Sequence, residues 1–304
     1  QSTTPQEHGR GDIKPLTDAP SLQSYFPNNT LYRIALLGWK SSGKTCFLTA
    51  LSFPHLPSKE TRSSCLRHPA LPKPTQRDPA YEDFIRGADI LNEAVEKMWD
   101  RFRPESNSTG DTGRYIFELS TPDRPGMIVE TIDYAGEHIT QKSDEEAARI
   151  QDILYSADGL ILFAQIPLTG AQPSHVLEDL TNLASAFQRV KGGGPVVVAI
   201  NKWDRRQSFD PENATLASEQ KALEEYLGTP DGGTLKGLVS KIEDSMGKDN
   251  VRIMPVSALG KCEVVEVPDP KNEGGPYIKI ERPQEILPLR PFGLLEPFLW
   301  LIQQ

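Results

Sequence analysis

The sequence predicts an α/β fold: a mostly parallel sheet with one antiparallel strand, covered by helices on both faces in three layers. Three observations predict it. Short, nearly continuous apolar runs, such as GLILFAQI at 159–166 and PVVVAI at 195–200, read as strands buried on both faces. Segments with apolar residues at helical spacing alternate with these runs, and that alternation implies parallel strands joined by crossover helices. Two further runs, RYIFELS at 114–120 and MIVETID at 127–133, are separated only by a turn-rich TPDRPG, which makes them an antiparallel pair.

The first apolar run opens the domain. LYRIALLG (31–38) reads as a strand, the next residues as a loop, and TCFLTAL as a helix. Gly38, Lys40, Ser41, Ser42, Gly43, Lys44 and Thr45 give the spacing G-x-x-x-x-G-K-T, in the strand–loop–helix setting where that spacing cradles phosphate. Glycines at 38 and 43 let backbone N–H groups approach phosphate oxygens without a Cβ in the way. The helix adds the partial positive charge of its N-terminus. Lys44 can reach β- and γ-phosphates, and the Thr45 hydroxyl can ligate Mg²⁺. Cys46 closes the expected phosphate-binding run and, lying in the helix, also reads as a small core residue.

Residues 1–29 are polar and without periodicity and read as a tail; 30–304 are the expected domain. Within it, 52–111 is an insertion. Its first part, 52–77, carries five prolines and reads as a long irregular loop. A helix follows, capped by Asp78 with Pro79 in its first turn, placing Tyr81, Phe84, Ala88, Leu91, Val95, Met98 and Phe102 on one face before Pro104 stops it.

Tyr115, Phe117 and Leu119 alternate with polar neighbours in the first strand of the antiparallel pair, and 127–132 is the inner strand. That strand ends in Asp133-Tyr134-Ala135-Gly136, a carboxylate where a second magnesium contact belongs and a glycine N–H able to meet a γ-phosphate. Ser143 to Glu146 forms a capping box for a helix with Ala147, Ile150, Ile153 and Leu154 inward. Another helix carries Val176, Leu177, Leu180, Leu183, Ala184 and Phe187 and ends at Gly192–Gly194. Helical patterns return over 213–227 and 233–246, and 251–256 is the last strand of the sheet. Residues 262–291 read as an inserted loop with room for a short hairpin. A terminal helix over 291–304 turns Leu294, Leu295, Phe298, Leu299 and Ile302 to the sheet.

Asn201-Lys202-Trp203-Asp204 follows one apolar strand and Ser257-Ala258 another. Guanine offers an N1–H and an exocyclic amine on one edge, and a carboxylate such as Asp204 can accept both; adenine has no such pair. Asn201 can bridge the base site and the phosphate loop, the Lys202 stem can lie along the ring, and the Ala258 N–H can meet the guanine O6.

With GWKSSGKT, DYAG, NKWD and VSAL in this order between residues 38 and 259, the chain resembles the P-loop GTPase superfamily, the Ras-like and translation-factor-like G domains. The resemblance implies GTP or GDP and Mg²⁺ as cofactors. It implies Lys44 on the phosphates, Thr45 and Asp133 on the metal, Gly136 on the γ-phosphate, Asn201, Lys202 and Asp204 on guanine, and Ser257 and Ala258 completing the base pocket. It also implies a metal-closing threonine before the antiparallel strand. Thr112 lies nearer the strand, and Thr109 is the alternative.

Three features depart from the family pattern. The insertion is long, similar in position to that of heterotrimeric G-protein α subunits. Glu137 stands where many members carry a water-orienting glutamine. Trp39 and Lys40 occupy positions usually held by smaller or neutral residues, and Trp39 either shields the nucleotide or packs outside it. A looser resemblance, through the helix with Trp99, the DYAGE run and the terminal PFGLLEPFLWLI, is to bacterial double-GTPase-type domains of conflict systems.

Composition bounds the rest. At 304 residues with 37% apolar content, the chain can bury a core. A net charge of −9 argues against nucleic acid as the main ligand. Three dispersed cysteines suggest neither a disulfide framework nor a zinc site. No apolar run reaches the length of about 18 residues needed to span a membrane, and no signal-peptide pattern occurs. The expectation is a cytoplasmic, slow GTP hydrolase acting as a switch, with Lys44, Gly136 and Glu137 at the reacting phosphate and a protein partner or second copy completing the site. The alternative is a guanine-nucleotide-binding module with little hydrolysis. What precedes Gln1 is left open.

Overall fold

The computed structural model describes residues 25–39, 42–52, 65–67, 82, 85–86, 88–89, 91, 113–121, 126–133, 144–166, 174–206, 208–210, 212–260, 262–268, 277–283 and 291–304. Nine strands and six helices are defined among them. The strands are β1 (Leu31–Gly38), β2 (Cys65–Arg67), β3 (Gly113–Ser120), β4 (Met127–Asp133), β5 (Gly159–Gln165), β6 (Val196–Asn201), β7 (Val251–Pro255), β8 (Cys262–Pro268) and β9 (Tyr277–Pro283). The helices are α1 (Lys44–Leu51), α2 (Asp144–Ser156), α3 (Ser174–Lys191), α4 (Leu216–Leu227), α5 (Gly233–Met246) and α6 (Glu296–Gln303).

β1 to β7 form one sheet in the order β2-β3-β4-β1-β5-β6-β7. β4, β1, β5, β6 and β7 pair in parallel, and β3 runs antiparallel to both its neighbours. The predicted α/β class, with one antiparallel strand and helices on both faces, is the observed one, and it is consistent with a Ras-like G domain.

The strands alternate cleanly. Ala35, Leu37, Leu160, Leu162, Val196, Val198 and Ile200 face the layer made by α2, α3, α4 and α5. Ile34, Leu36, Ile161, Phe163, Val197 and Ala199 face the layer made by α1 and α6. Under α1, the Phe47 ring meets Phe163 edge-on at 5.0 Å and stacks on Phe298 of α6 at 6.1 Å, which fixes the helix behind the glycine loop to the sheet.

The insertion differs from its sequence reading in one respect. The stretch expected as irregular loop contains β2, which pairs antiparallel with β3 through Cys65↔Ser120 to Arg67↔Glu118. A three-residue strand carries too little periodicity to be legible, and its formation depends on the open edge of β3. The described residues between 82 and 91 are helical, as expected. Leu91 is buried in the α1/α6 core while Glu82, Ile85, Arg86 and Asp89 are exposed, so this helix lies on the flank of the sheet. Tyr81, Phe84, Val95, Met98, Trp99 and Phe102 lie outside the described residues.

Further along, Gly192 (φ 71°) and Gly193 (φ 103°) follow α3 in the left-handed region and end it. α4 begins at Leu216, later than the 213 expected, because Thr215 and Ser218 form a capping box at that point. The terminal helix is confined to Glu296–Gln303, since Phe292 is drawn into a bridge with Ser257 and Gly293 turns with φ 67°. The region expected as an inserted loop holds a ribbon of two seven-residue strands, β8 and β9, separate from the main sheet.

One polar cluster is built into the sheet. Glu130 of β4 is fully buried, accepting hydrogen bonds from Arg33 Nε of β1 (2.9 Å) and from Arg114 Nε of β3 (2.7 Å) and Nη2. The Arg33 side chain is 32% exposed and that of Arg114 14%. A buried carboxylate is tolerated only while paired, so the less exposed, doubly bonded arginine matters more. Arg114→Ala is expected to lower the unfolding free energy by about 2–3 kcal/mol and Arg33→Ala by about 1 kcal/mol. Urea denaturation of the two variants checks the order as well as the size.

Candidate functional site

All the candidate loops leave the sheet at one edge, the carboxyl ends of the parallel strands, which is where open α/β sheets bind ligands. β1 delivers the glycine loop, β4 delivers Asp133, β6 delivers Asn201 to Asp204, and β7 leads to Ser257 and Ala258. Register sets their spacing. Asp133 pairs with Leu36, two residues before Gly38, and Gly38 pairs with Phe163. A Cβ at Gly38 would meet the Phe163 Cβ at 2.8 Å and its carbonyl oxygen at 2.9 Å, so the strand end requires glycine.

The lysine at the start of α1 arches back over the glycine loop. Lys44 is buried, and its Nζ donates to the Gly38 carbonyl (2.7 Å) and the Trp39 carbonyl (3.3 Å). α1 has no acidic residue in its first turn, so the positive end of its dipole is uncompensated where it faces the loop. Ser42 is 2% exposed, and its Oγ has no hydrogen-bond partner among the described residues. A buried hydroxyl of that kind, beside a lysine and a bare helix N-terminus, suits an anionic oxygen. Thr45 and Cys46 are half-buried at the start of α1. Lys40 and Ser41 lie outside the described residues.

Gly43 is the hinge of the arrangement. It sits at φ 89°, and a Cβ there would meet Asn201 Nδ2 at 2.4 Å. That close approach lets Asn201 Nδ2 donate to the Ser42 carbonyl at 2.7 Å, while its Oδ1 accepts from the Lys202 N–H at 2.8 Å. Asn201, 159 residues from Ser42 in sequence, thereby ties the β6 loop to the glycine loop. Lys202 takes φ 58°, the single non-glycine residue with positive φ among the described residues. Such a conformation persists only where surrounding contacts over-determine it.

The β7 loop closes on the same place. Asp204 is 8% exposed, and its Oδ1 accepts from the fully buried Ser257 hydroxyl. Ser257 Oγ also accepts from the Gly260 N–H at 3.0 Å, and the Trp203 N–H donates to the Val256 carbonyl at 3.1 Å. Ala258 is buried beside them. A carboxylate can accept several hydrogen bonds at once, two at each oxygen.

The structure therefore brings together Gly38, Ser42, Gly43, Lys44, Thr45, Asn201, Lys202, Asp204, Ser257 and Ala258. Asp133 lies at the end of β4, and Gly113 pairs directly with it, which puts the residue after Thr112 opposite the candidate metal ligand. Thr109, Thr112, Gly136 and Glu137 themselves lie outside the described residues.

Sequence reasoning missed the supports of this site: Trp203, Glu219 and Arg206 beneath Asp204, and Phe292, whose N–H and carbonyl bond Ser257 at 2.8 and 2.9 Å. Only the oddity of a tryptophan within the Asn-Lys-x-Asp run signalled the first of them.

No protein-family model matches the sequence, and no curated protein matches it. Among solved structures, the chain is similar to the bacterial selenocysteine-specific elongation factor EF-Sec, at 15% identity and a TM-score of 0.38, over 75% of this chain and 26% of that one. The chain thus spans about a quarter of that neighbour's length.

Gly43→Ala provides a direct check on the loop geometry. The strained φ and the displaced Asn201 are expected to cost about 1–3 kcal/mol of stability and to disrupt the Asn201–Ser42 bond. Thermal unfolding gives the first, and loss of the protected Asn201 side-chain amide signals in NMR gives the second.

Proposed function

We propose that this chain is a guanine-nucleotide-binding switch that takes GTP with Mg²⁺ and hydrolyses it slowly to GDP, with a protein partner or a second copy completing the site. The observation that carries the reading is the convergence of Ser42, Asn201, Asp204 and Ser257, from three loops far apart in sequence, through two buried hydrogen bonds. In this reading Lys44, Ser42 and the loop amides hold the phosphates. Thr45, Asp133 and Thr112 hold the magnesium, which neutralises phosphate charge. Asn201 and Lys202 frame the base, and Asp204 accepts the two guanine donors. Gly136 meets the γ-phosphate, and Glu137 lies nearest the attacking water. A cytoplasmic setting accords with the absence, among the described residues, of any helix long and apolar enough to cross a membrane.

Slow turnover follows from charge. Glu137 can orient a water, but its carboxylate sits badly beside an anionic γ-phosphate unless a cation offsets it. Arg114, one of the two arginines nearest Thr112 in sequence along with Arg103, is committed to Glu130 within the sheet. Lys40 remains as an internal cation, and a partner is the other source. The second reading, a nucleotide-binding module with little hydrolysis, is favoured by the same glutamate.

Two experiments test this. Asp204→Ala is expected to weaken GDP binding by about 2–4 kcal/mol, and Asp204→Asn to move preference toward xanthine nucleotides. Calorimetric titration that finds GDP bound equally well by the parent and Asp204→Ala, or ATP bound as well as GTP, refutes the reading. Phosphate release from GTP is expected to be slow and to rise with protein concentration. Fast turnover independent of concentration removes the partner, and no turnover under any condition leaves the binding module.

A further inference from the structure

Outside the ligand-facing residues, one buried polar cluster lies directly beneath the base-reading loop. Trp203 stands between Lys202 and Asp204 and is fully buried in the core against α4 and α5. Its indole Nε1–H donates to Glu219 Oε2 at 2.5 Å. The same oxygen accepts from Arg206 Nη1 at 2.8 Å, and the Arg206 guanidinium lies over the Trp203 ring, 4.4 Å from its centroid. Tyr226 meets the other side of the indole edge-on at 6.1 Å.

Glu219 itself is fixed. It lies in the first turn of α4, where the Ser218 N–H donates to Thr215 Oγ1 at 3.1 Å and the Thr215 N–H donates to Ser218 Oγ at 3.0 Å. Its own N–H donates to the Thr215 carbonyl at 3.0 Å. Glu219 is only 8% exposed, so its carboxylate is held by these partners rather than by water.

We propose that Glu219 is a positioning residue for guanine recognition: together with Arg206 it clamps the Trp203 indole, and through the backbone it fixes the direction of the Asp204 carboxylate. The inference rests on the guanine-binding reading and adds to it the residues that set its specificity. The mechanical reason is the strained Lys202. A left-handed lysine relaxes unless the chain is pinned on both sides. Asn201 pins one side through Ser42, and Trp203 pins the other through Glu219 and through Val256. Releasing the second pin lets the turn open and Asp204 rotate. Phosphate contacts, made by a different loop, are then kept while base discrimination falls.

The test compares GDP with IDP, which lacks the exocyclic amine that the second Asp204 oxygen would accept, using calorimetry on the purified chain. Glu219→Ala is expected to reduce the GDP-over-IDP preference by about tenfold, with IDP losing less affinity than GDP because hypoxanthine offers Asp204 only the N1–H. Glu219→Gln keeps an acceptor for the indole and is expected to retain most of the preference. Ile153→Ala, a fully buried change in α2, a helix that holds no member of the clamp, is expected to lower the melting temperature while leaving the ratio intact. Trp203→Phe removes the N–H donor and is expected to shift the ratio as Glu219→Ala does, which keeps the test decisive if that variant fails to fold. A folded Glu219→Ala with the parental ratio, or an equal loss of ratio in Ile153→Ala, overturns the inference alone. A parent protein without guanine preference overturns the guanine reading itself.

Discussion

The hydrogen bond from Asn201 Nδ2 to the Ser42 carbonyl is the contact on which the rest of the site depends. It joins the two halves of the candidate site, the glycine loop after β1 and the turn after β6. It forms only because Gly43 has no Cβ, since an alanine there would occupy the space of the Asn201 amide. A single missing methyl group thus sets the distance between the glycine loop and the turn after β6. The bond is buried, so its geometry is held in a low dielectric where an unpaired amide would be costly.

Around that bond the structure places rigid parts on either side. Phe47, Phe163 and Phe298 lock α1 to the sheet and to the terminal helix, which gives the glycine loop a fixed rear wall. Trp203 and its partners do the same for the turn after β6. Ser257 ties that turn to the loop after β7, and the Ser257–Phe292 bridge closes the long excursion carrying the β8–β9 ribbon at its base. The ribbon therefore lies between Ser257 and Phe292 in the chain, whose bridge borders the candidate site. Phe292 also packs edge-on against Phe209, just beyond the turn after β6, at 5.7 Å. Movement at either loop is mechanically shared with the other.

The sheet contributes more than a platform. Its inner strands are buried on both faces, which requires their backbone N–H and C=O groups to be paired in the ladder. A buried side-chain charge among them, Glu130 with Arg33 and Arg114, falls where β1, β4 and the antiparallel β3 meet. An ionic cross-tie there fixes the strand whose end carries Asp133, and it occupies an arginine that proximity in sequence alone would offer to the phosphates.

The sequence by itself determined the strand–helix alternation, because period and composition are local properties that burial on two faces imposes on every inner strand. It likewise marked the candidate residues Gly38–Cys46, Asn201–Asp204 and Ser257–Ala258, because glycine spacing and a carboxylate after an apolar strand are local patterns that can be read without the fold. Tertiary structure alone decided the rest. β2 exists because β3 offers an edge, and three residues hold no period of their own. The start of α6 was set by a bridge to Ser257, which lies far back along the chain. The pairing of Glu219 with Trp203 joins residues 16 apart whose side chains meet only when α4 packs on the sheet. Contacts of that kind leave no trace in local pattern, since what makes a buried glutamate tolerable is the identity of its neighbours in space.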